Sequence, residues 1–388
     1  MVTTNVIKQL FANSGAIAQD NEGTFLFLTN MDFDSSSLKT FLLNHSICVN
    51  SLNLYAPHFF DSSETDLKSF NHCLIFKRDF LIDSLENELR STDIHLDPPW
   101  IVQSKLDYES DFNKIQQAIY EGLISKAVVM SMEASPWVPS VKERMQLCLN
   151  LLKNCSANLF IYGHWNEKGG VLGATPEILF YRRKQIIQTM ALAGTLAKYS
   201  KSTVSVNANQ LLHDPKELYE HQLVVDDITE KLNNLSKDSQ YQISKFSIDG
   251  PKIFELPHLF HLQSKIEIEL ATTFRNSPLE ESNFDLFLSQ QIHPSSALGI
   301  RSSRTHWHWL KNLFGHKALG HFGAPFGISL PNGYLCLVGI RNLEWENDKS
   351  FIRSGCGIVE QSKSNKEWQE LFAKRESVKS LLGFKSIS

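Results

Sequence analysis

The chain has 388 residues, 42% of them hydrophobic, 11% aromatic and 21% charged, with 19 glycines and 13 prolines. That composition is ordinary for a globular protein and excludes the disordered and fibrous classes. A formal net charge of −4 at pH 7 gives no long-range pull toward nucleic acid or an anionic membrane, and the densest basic group, Arg182, Arg183 and Lys184, reads as a turn after a strand.

Residues 1–105 hold short apolar runs, Thr24 to Leu28 and Cys73 to Phe76 among them, broken by Asn, Asp and Ser clusters. These read as strands and loops without visible chemistry. From Tyr108 the spacing of Phe112, Ile115, Ala118 and Ile119 predicts a helix, followed by a strand over 127–131 and a helix over 139–153. Strands are expected at 158–164, 170–173, 177–182 and 185–192, long helices at 215–234 and 283–291, strands at 334–341 and 350–354, and a last helix from about 365. Nothing in this order marks a linker, a repeat or a regular βαβ alternation. The expected fold is α+β: one large two-layer sandwich of mixed, mainly antiparallel sheets with outer helices and a deep central cleft. Residues 1–105 would complete the sandwich and 106–388 would carry the catalytic region.

Six cysteines (Cys48, Cys73, Cys148, Cys155, Cys336, Cys356) include no C-x-x-C pair, and several lie inside apolar runs. That pattern suits reduced, buried thiols in a cytoplasmic protein. The N-terminus has no basic segment followed by an apolar one, and no run of about 18 apolar residues occurs, so no membrane association is expected. Nucleotide-binding fingerprints such as G-x-G-x-x-G opening a helix are absent as well.

The most informative local feature is Asp214-Pro215-Lys216-Glu217-Leu218-Tyr219-Glu220-His221. Asp at the N-cap, Pro at the first position and Glu217 at the third predict a helix start with a capping box. Glu220 then falls on the face of Glu217 beside Leu223, Val224 and Ile228. The last helix repeats the arrangement: Ser364 as cap, Glu367 at the third position, Glu370 and Lys374 on the same face. Two E-x-x-E faces brought together could hold Mg²⁺, which takes one or two carboxylates plus water and substrate oxygens. The alternative, that both pairs are solvated or capping, is commoner for this spacing. A carboxylate-bridged oxidase built on the same pairs is disfavoured, because that chemistry prefers Glu-x-x-His ligands in a helical bundle.

The order of segments resembles the chorismate-binding enzymes, the family of anthranilate, aminodeoxychorismate, salicylate and isochorismate synthases, from about Ile124 to Leu382. Gly173-Ala174-Thr175-Pro176-Glu177 is similar to its G-[AS]-[ST]-P-E segment, and Ala191-Leu192-Ala193-Gly194-Thr195 to its A-[LI]-A-G-T turn. Glu217 to His221 resembles the helix with an E-H pair. His293 to Gly299 resembles the H-P-[ST]-P-A-L-G loop, and Phe322 to Gly327 the Y-A-G-P-V-G segment. A strand ending at Arg341, then Arg353 to Val359, then Glu367-Trp368-Gln369-Glu370 with Lys374, complete the series.

The resemblance implies a magnesium ion held by Glu220 and Glu370, with Glu217 and Glu367 acting through water. It places chorismate against Arg341 and Lys374, with the backbone of Gly194 and Gly355 close by and Ala297 and Leu298 walling the ring. Thr195, His261, His293, Phe322 and Cys356 are the remaining substrate-binding candidates. It implies isomerisation of chorismate to isochorismate: water attacks one ring carbon while a hydroxyl leaves from another, which needs a base and an acid. Glu177 would be the acid, kept protonated by burial, and Lys126 the base.

Direct alignment on the family strand K-V-V-L-[SA]-R puts Ala127 at the base position, and a shift of one residue restores Lys126. Since strand residues alternate between faces, the two registers point the lysine to opposite sides. Ala193 and the Val224-Val225-Asp226 stretch argue against the ammonia-using members. A salicylate synthase, which goes on to eliminate pyruvate, and a binding protein that has lost activity stay open as alternatives. The water-using relatives are commonly monomers, so a monomer is expected.

Overall fold

The fold follows from apolar runs that alternate between two buried faces. Along the strand Phe25–Thr29, Leu26 and Leu28 point one way and join Ala16, Ala18, Leu54, Phe326, Ile328, Leu335 and Leu337 in the core between two sheets. Phe25 and Phe27 point the other way, onto Leu10, Phe11, Leu81, Leu85 and Met145 of outer helices. This computed structural model describes residues 2–30, 47–48, 52–60, 67–198, 207–238, 241–271, 278–302, 305, 307–317, 319–330 and 333–385.

The larger sheet has eleven strands. In spatial order they are Ile300–Arg301, Lys126–Ser135, Lys349–Ile358, Asn342–Glu346, Gly169–Thr175, Phe160–Trp165, Gly15–Gln19, Phe25–Thr29, His72–Phe76 and Ile47–Cys48, with Ile101–Val102 pairing Lys126–Ser135. The smaller has eight: Ile243–Glu255, Leu259–Leu270, Ile186–Ala197, Ile178–Arg183, Gly333–Val338, Pro325–Leu330, Leu52–Tyr55 and Leu67–Phe70. Strands from the first 105 residues thus extend both sheets. Every pairing among the described residues is antiparallel, where mixed sheets were expected; most sequence neighbours are joined by turns too short for the crossover that a parallel pair requires.

One helix rides on each sheet where the two meet. Pro215–Asp238 packs on Ile186–Ala197 of the smaller sheet, and Ser364–Leu382 packs on Lys349–Ile358 of the larger. The second helix is anchored by a buried ion cluster: Arg375 Nε lies 2.8 Å and Lys379 Nζ 2.6 Å from the two carboxylate oxygens of Glu133, on the neighbouring strand. Among the described residues no helix is long and apolar enough to cross a membrane.

Three local expectations are corrected. Asp214 does cap its helix, its Oδ1 accepting from the amides of Lys216 (2.9 Å) and Glu217 (3.2 Å), but Glu217 does not close the box. Its carboxylate accepts instead from the Thr195 amide at 2.8 Å on the facing strand. Ser364 is the first residue of its helix rather than the cap, its hydroxyl has no hydrogen-bond partner, and Lys363 occupies the cap position without a side-chain bond. The strand expected to end at Arg341 stops at Val338, and Arg341 follows in a left-handed conformation (φ 57°) before the next strand.

Candidate active site

The site lies where the chain steps from one sheet to the other, beside both helices. Gly169–Thr175 belongs to the larger sheet and Ile178–Arg183 to the smaller, so Pro176 and Glu177 form the step from one to the other. Glu177 is fixed at this step by its backbone: its amide donates to Thr175 Oγ1 (3.2 Å) and its carbonyl accepts from Val338 (3.0 Å). Its carboxyl is buried and faces an open cleft of about 540 Å³. Burial raises its pKa to about 7, against the opposing charges of Lys126, Lys374 and Arg341.

On the smaller sheet, a bulge between Ala193 and Thr195 turns Gly194 to φ 81°. A side chain there would crowd the Glu217 carbonyl, so glycine lets strand and helix approach. Thr195 Oγ1 and His261 Nδ1 lie 3.1 Å apart across the neighbouring strand. His261 Nε2 is buried without a partner beside the cleft, and burial, then Arg341 and Lys374, lowers the imidazole to about 3. A neutral ring with an unmatched nitrogen is a ready hydrogen-bonding group for a ligand.

On the larger sheet, Gly355, Cys356 and Gly357 form one wall. A Cβ on Gly355 would meet Met130 Sδ at 2.6 Å, and one on Gly357 would collide with the Glu220 carboxylate. Lys374 Nζ donates to the Gly355 carbonyl (2.8 Å) and pairs with Glu370 (2.6 Å). Arg341 lines the cleft with no carboxylate within ion-pair distance among the described residues, its pKa lowered to about 10 by burial. Ala297, Leu298 and Phe322 supply the apolar side.

The two E-x-x-E faces do meet. Glu220 and Glu370 line the cleft, while Glu217 and Glu367 stand behind them. Lys216 lies among the acids, its Nζ 3.0 Å from Glu217, 3.1 Å from Glu220 and 3.2 Å from Glu367. Burial and the neighbouring carboxylates raise Glu217 and Glu367. Burial acts the same way on Glu370, but Lys374 and Lys216 override it and hold that group low. Carboxylate oxygens gathered about one cationic nitrogen are a donor set of the type Mg²⁺ takes. Among the described residues no three His, Cys, Asp or Glu groups converge on a common ion position, so the acids fit the ion by donor type while an ammonium stands between them.

Strand alternation fixes the face on which Lys126 lies. Ala127 and Val129 face the outer helix with Tyr108, Ile115 and Ile358, whereas Val128 and Met130 face inward with Ala193, Leu298 and Phe322. Lys126 shares the inward side. It is fully buried, donates to the Ser296 carbonyl and lies 3.7 Å from Glu220 Oε1. Its pKa is lowered by burial, against the pull of Glu220. It does not itself line the cleft, being screened by Gly357 and Glu220.

His293 is also absent from the cleft wall: its Nε2 bonds the Phe59 carbonyl (2.9 Å) and its ring packs on Phe59. It holds a loop rather than a ligand because the turn at Pro294 directs Ala297 and Leu298, not the imidazole, inward. Sequence reasoning missed the role of Lys216 and the Asp227 carboxylate, which accepts from the Ser296 amide at 2.7 Å and so fixes the carbonyl that Lys126 uses. The i,i+4 spacing of Lys216 and Glu220 was the available signal for the first; the second had none.

A cleft between two sheets, lined by Arg341, Lys374 and buried carboxylates beside an apolar side, suits a small anionic ligand. The chain belongs to the chorismate binding enzyme family, which it matches over residues 52–383. It is 28% identical over 217 residues to isochorismate synthase MenF of Haemophilus influenzae, covering 56% of this chain and 46% of that protein. It is 27% identical over 293 residues to the salicylate biosynthesis isochorismate synthase of Pseudomonas aeruginosa, covering 74% and 57%. Anthranilate synthase component 1 of Neisseria gonorrhoeae matches at 26% over 251 residues, covering 62% and 48%. The chain thus spans about half the length of the curated relatives it matches. Escherichia coli MenF, the menaquinone-specific isochorismate synthase, shares the fold with a TM-score of 0.67 at 17% identity, over 97% of this chain and 91% of that one.

Proposed function

We propose that the protein is a magnesium-dependent isochorismate synthase, adding water at ring C2 of chorismate with loss of the C4 hydroxyl. The observation that carries this reading is a buried carboxyl, Glu177, lining the cleft and a buried amine, Lys126, lying just behind the wall formed by Gly357 and Glu220, each with its charged form disfavoured by burial. Hydroxyl departure requires an acid and water attack a base, and burial shifts each group toward the form its role needs.

Glu177 would donate a proton to the leaving C4 hydroxyl. Lys126, oriented by the Ser296 carbonyl, would take a proton from the attacking water; its screened position requires that the water enter beside Gly357. Arg341 and Lys374 would bind the substrate carboxylates, and His261 Nε2 would bond a substrate oxygen. Glu220 and Glu370 would hold Mg²⁺, backed by Glu217 and Glu367, and the bound ion would neutralise the ring carboxylate. Ala297, Leu298 and Phe322 would exclude bulk water from the ring.

The test is incubation of the protein with chorismate, with and without Mg²⁺, resolving products by chromatography and assaying pyruvate. Isochorismate without pyruvate, lost on chelation, is the expected result. Salicylate with an equivalent of pyruvate would move the assignment to a salicylate synthase, anthranilate on addition of ammonia would move it to an amine-transferring enzyme, and no turnover would leave a binding protein.

A further inference from the structure

Three lysines approach the acidic cluster, and they are held differently. Lys126 is fully enclosed and Lys374 nearly so, and each donates to a backbone carbonyl, Ser296 and Gly355 respectively. Among the described residues, the partners of the Lys216 ammonium are carboxylates: Glu217, Glu220 and Glu367, at 3.0–3.2 Å. Its side chain is 17% exposed, against 0% for Lys126 and 10% for Lys374. It projects from the first turn of the helix Pro215–Asp238. It is therefore the one of the three without a backbone carbonyl partner among the described residues, its ammonium held by carboxylates at the end of a flexible stem.

An ammonium and a divalent ion cannot share this place. Mg²⁺ needs oxygens at about 2.0–2.1 Å, so the acids would have to draw inward onto the space Lys216 fills, and two like charges there would repel strongly at low effective dielectric. From this geometry we infer that Lys216 is a built-in counter-ion that holds the glutamate cluster together without metal and swings out to solvent when a divalent cation binds. The inference rests on the magnesium reading above. It makes metal affinity a difference between two cations competing for the same oxygens, and it spares the metal-free cleft from four carboxylates repelling one another.

The first test uses the unaltered protein without chorismate: amine-reactive labelling with mass-spectrometric readout at Lys216, in EDTA and in saturating Mg²⁺. Labelling should rise severalfold with Mg²⁺, while that of Lys126 stays low; unchanged labelling of Lys216 would overturn the inference. The second is Mn²⁺ binding followed by electron paramagnetic resonance. Lys216→Met should bind Mn²⁺ tighter than the unaltered protein, on the order of tenfold, and should melt earlier in EDTA, whereas Lys216→Arg should do neither. Equal Mn²⁺ affinity of the parent and Lys216→Met would overturn the counter-ion role while leaving the metal site standing. No Mn²⁺ binding by any of the three would remove both.

Discussion

Replacing Glu177 by Gln keeps the shape of the side chain and removes its proton equilibrium. The carboxyl is 5% exposed, and burial lifts its pKa from the ordinary 4.5 to about 7. Because the folded value is the higher one, the group's contribution to stability is complete below pH 4.5 and is lost as the pH rises through 7. The rise corresponds to about 3 kcal/mol. Glu177→Gln carries no such loss, so its stability relative to the parent should improve by up to that amount between pH 4.5 and pH 8.5. With unfolding entropy of about 2.1 cal/mol/K per residue over 388 residues, this is a relative gain in Tm of about 4 °C. Calorimetry of both proteins in EDTA across that range measures it. A Tm difference that stays flat with pH would show that Glu177 ionises normally in the fold, and would refute its role as the acid at neutral pH.

The remaining expectations concern other parts of the site and its support. Turnover of chorismate should fall by about 10²–10⁴ in Glu177→Gln and again in Lys126→Met, with KM changing far less, in steady-state assays. Glu133→Ala leaves Arg375 buried without its carboxylate and Lys379 with Glu376 alone and should cost about 3–5 kcal/mol, measured by urea unfolding. Gly357→Ala would drive a methyl into the Glu220 carboxylate and Lys126 Cε; Mn²⁺ affinity and turnover should fall together, and retention of both would contradict the described wall. Activity should vanish in EDTA and return with Mg²⁺.

The helix at Pro215 was legible because Asp214-Pro215 is a local start signal and the amides of Lys216 and Glu217 answer to Asp214 alone. The convergence of Glu220 and Glu370 was legible only as two matching faces; that they meet depends on which strands carry the helices. The hairpin of Ile243–Glu255 and Leu259–Leu270 went unread. Its outer strand is largely exposed, carries few apolar residues in alternation, and contains Gly250-Pro251, a pair that ordinarily argues against a strand. The helix Arg78–Leu89 was missed for a related reason: Lys77 precedes it without a side-chain cap. Lys216 stood in plain view inside the motif, yet its partner Glu367 lies 151 residues further along, beyond the reach of any helical spacing.

Glu177 sits on the two-residue step by which the chain leaves one sheet and enters the other. Lys126 belongs to the larger sheet, while the Val338 amide that donates to the Glu177 carbonyl belongs to the smaller, so on the proposed mechanism the spacing of acid and base depends on how the two sheets are held apart. Filler between the sheets, such as Phe326 against Tyr162 with ring centres 5.0 Å apart, would on that mechanism act as a spacer for proton transfer. Thinning it would shift the reacting groups relative to each other without touching either one.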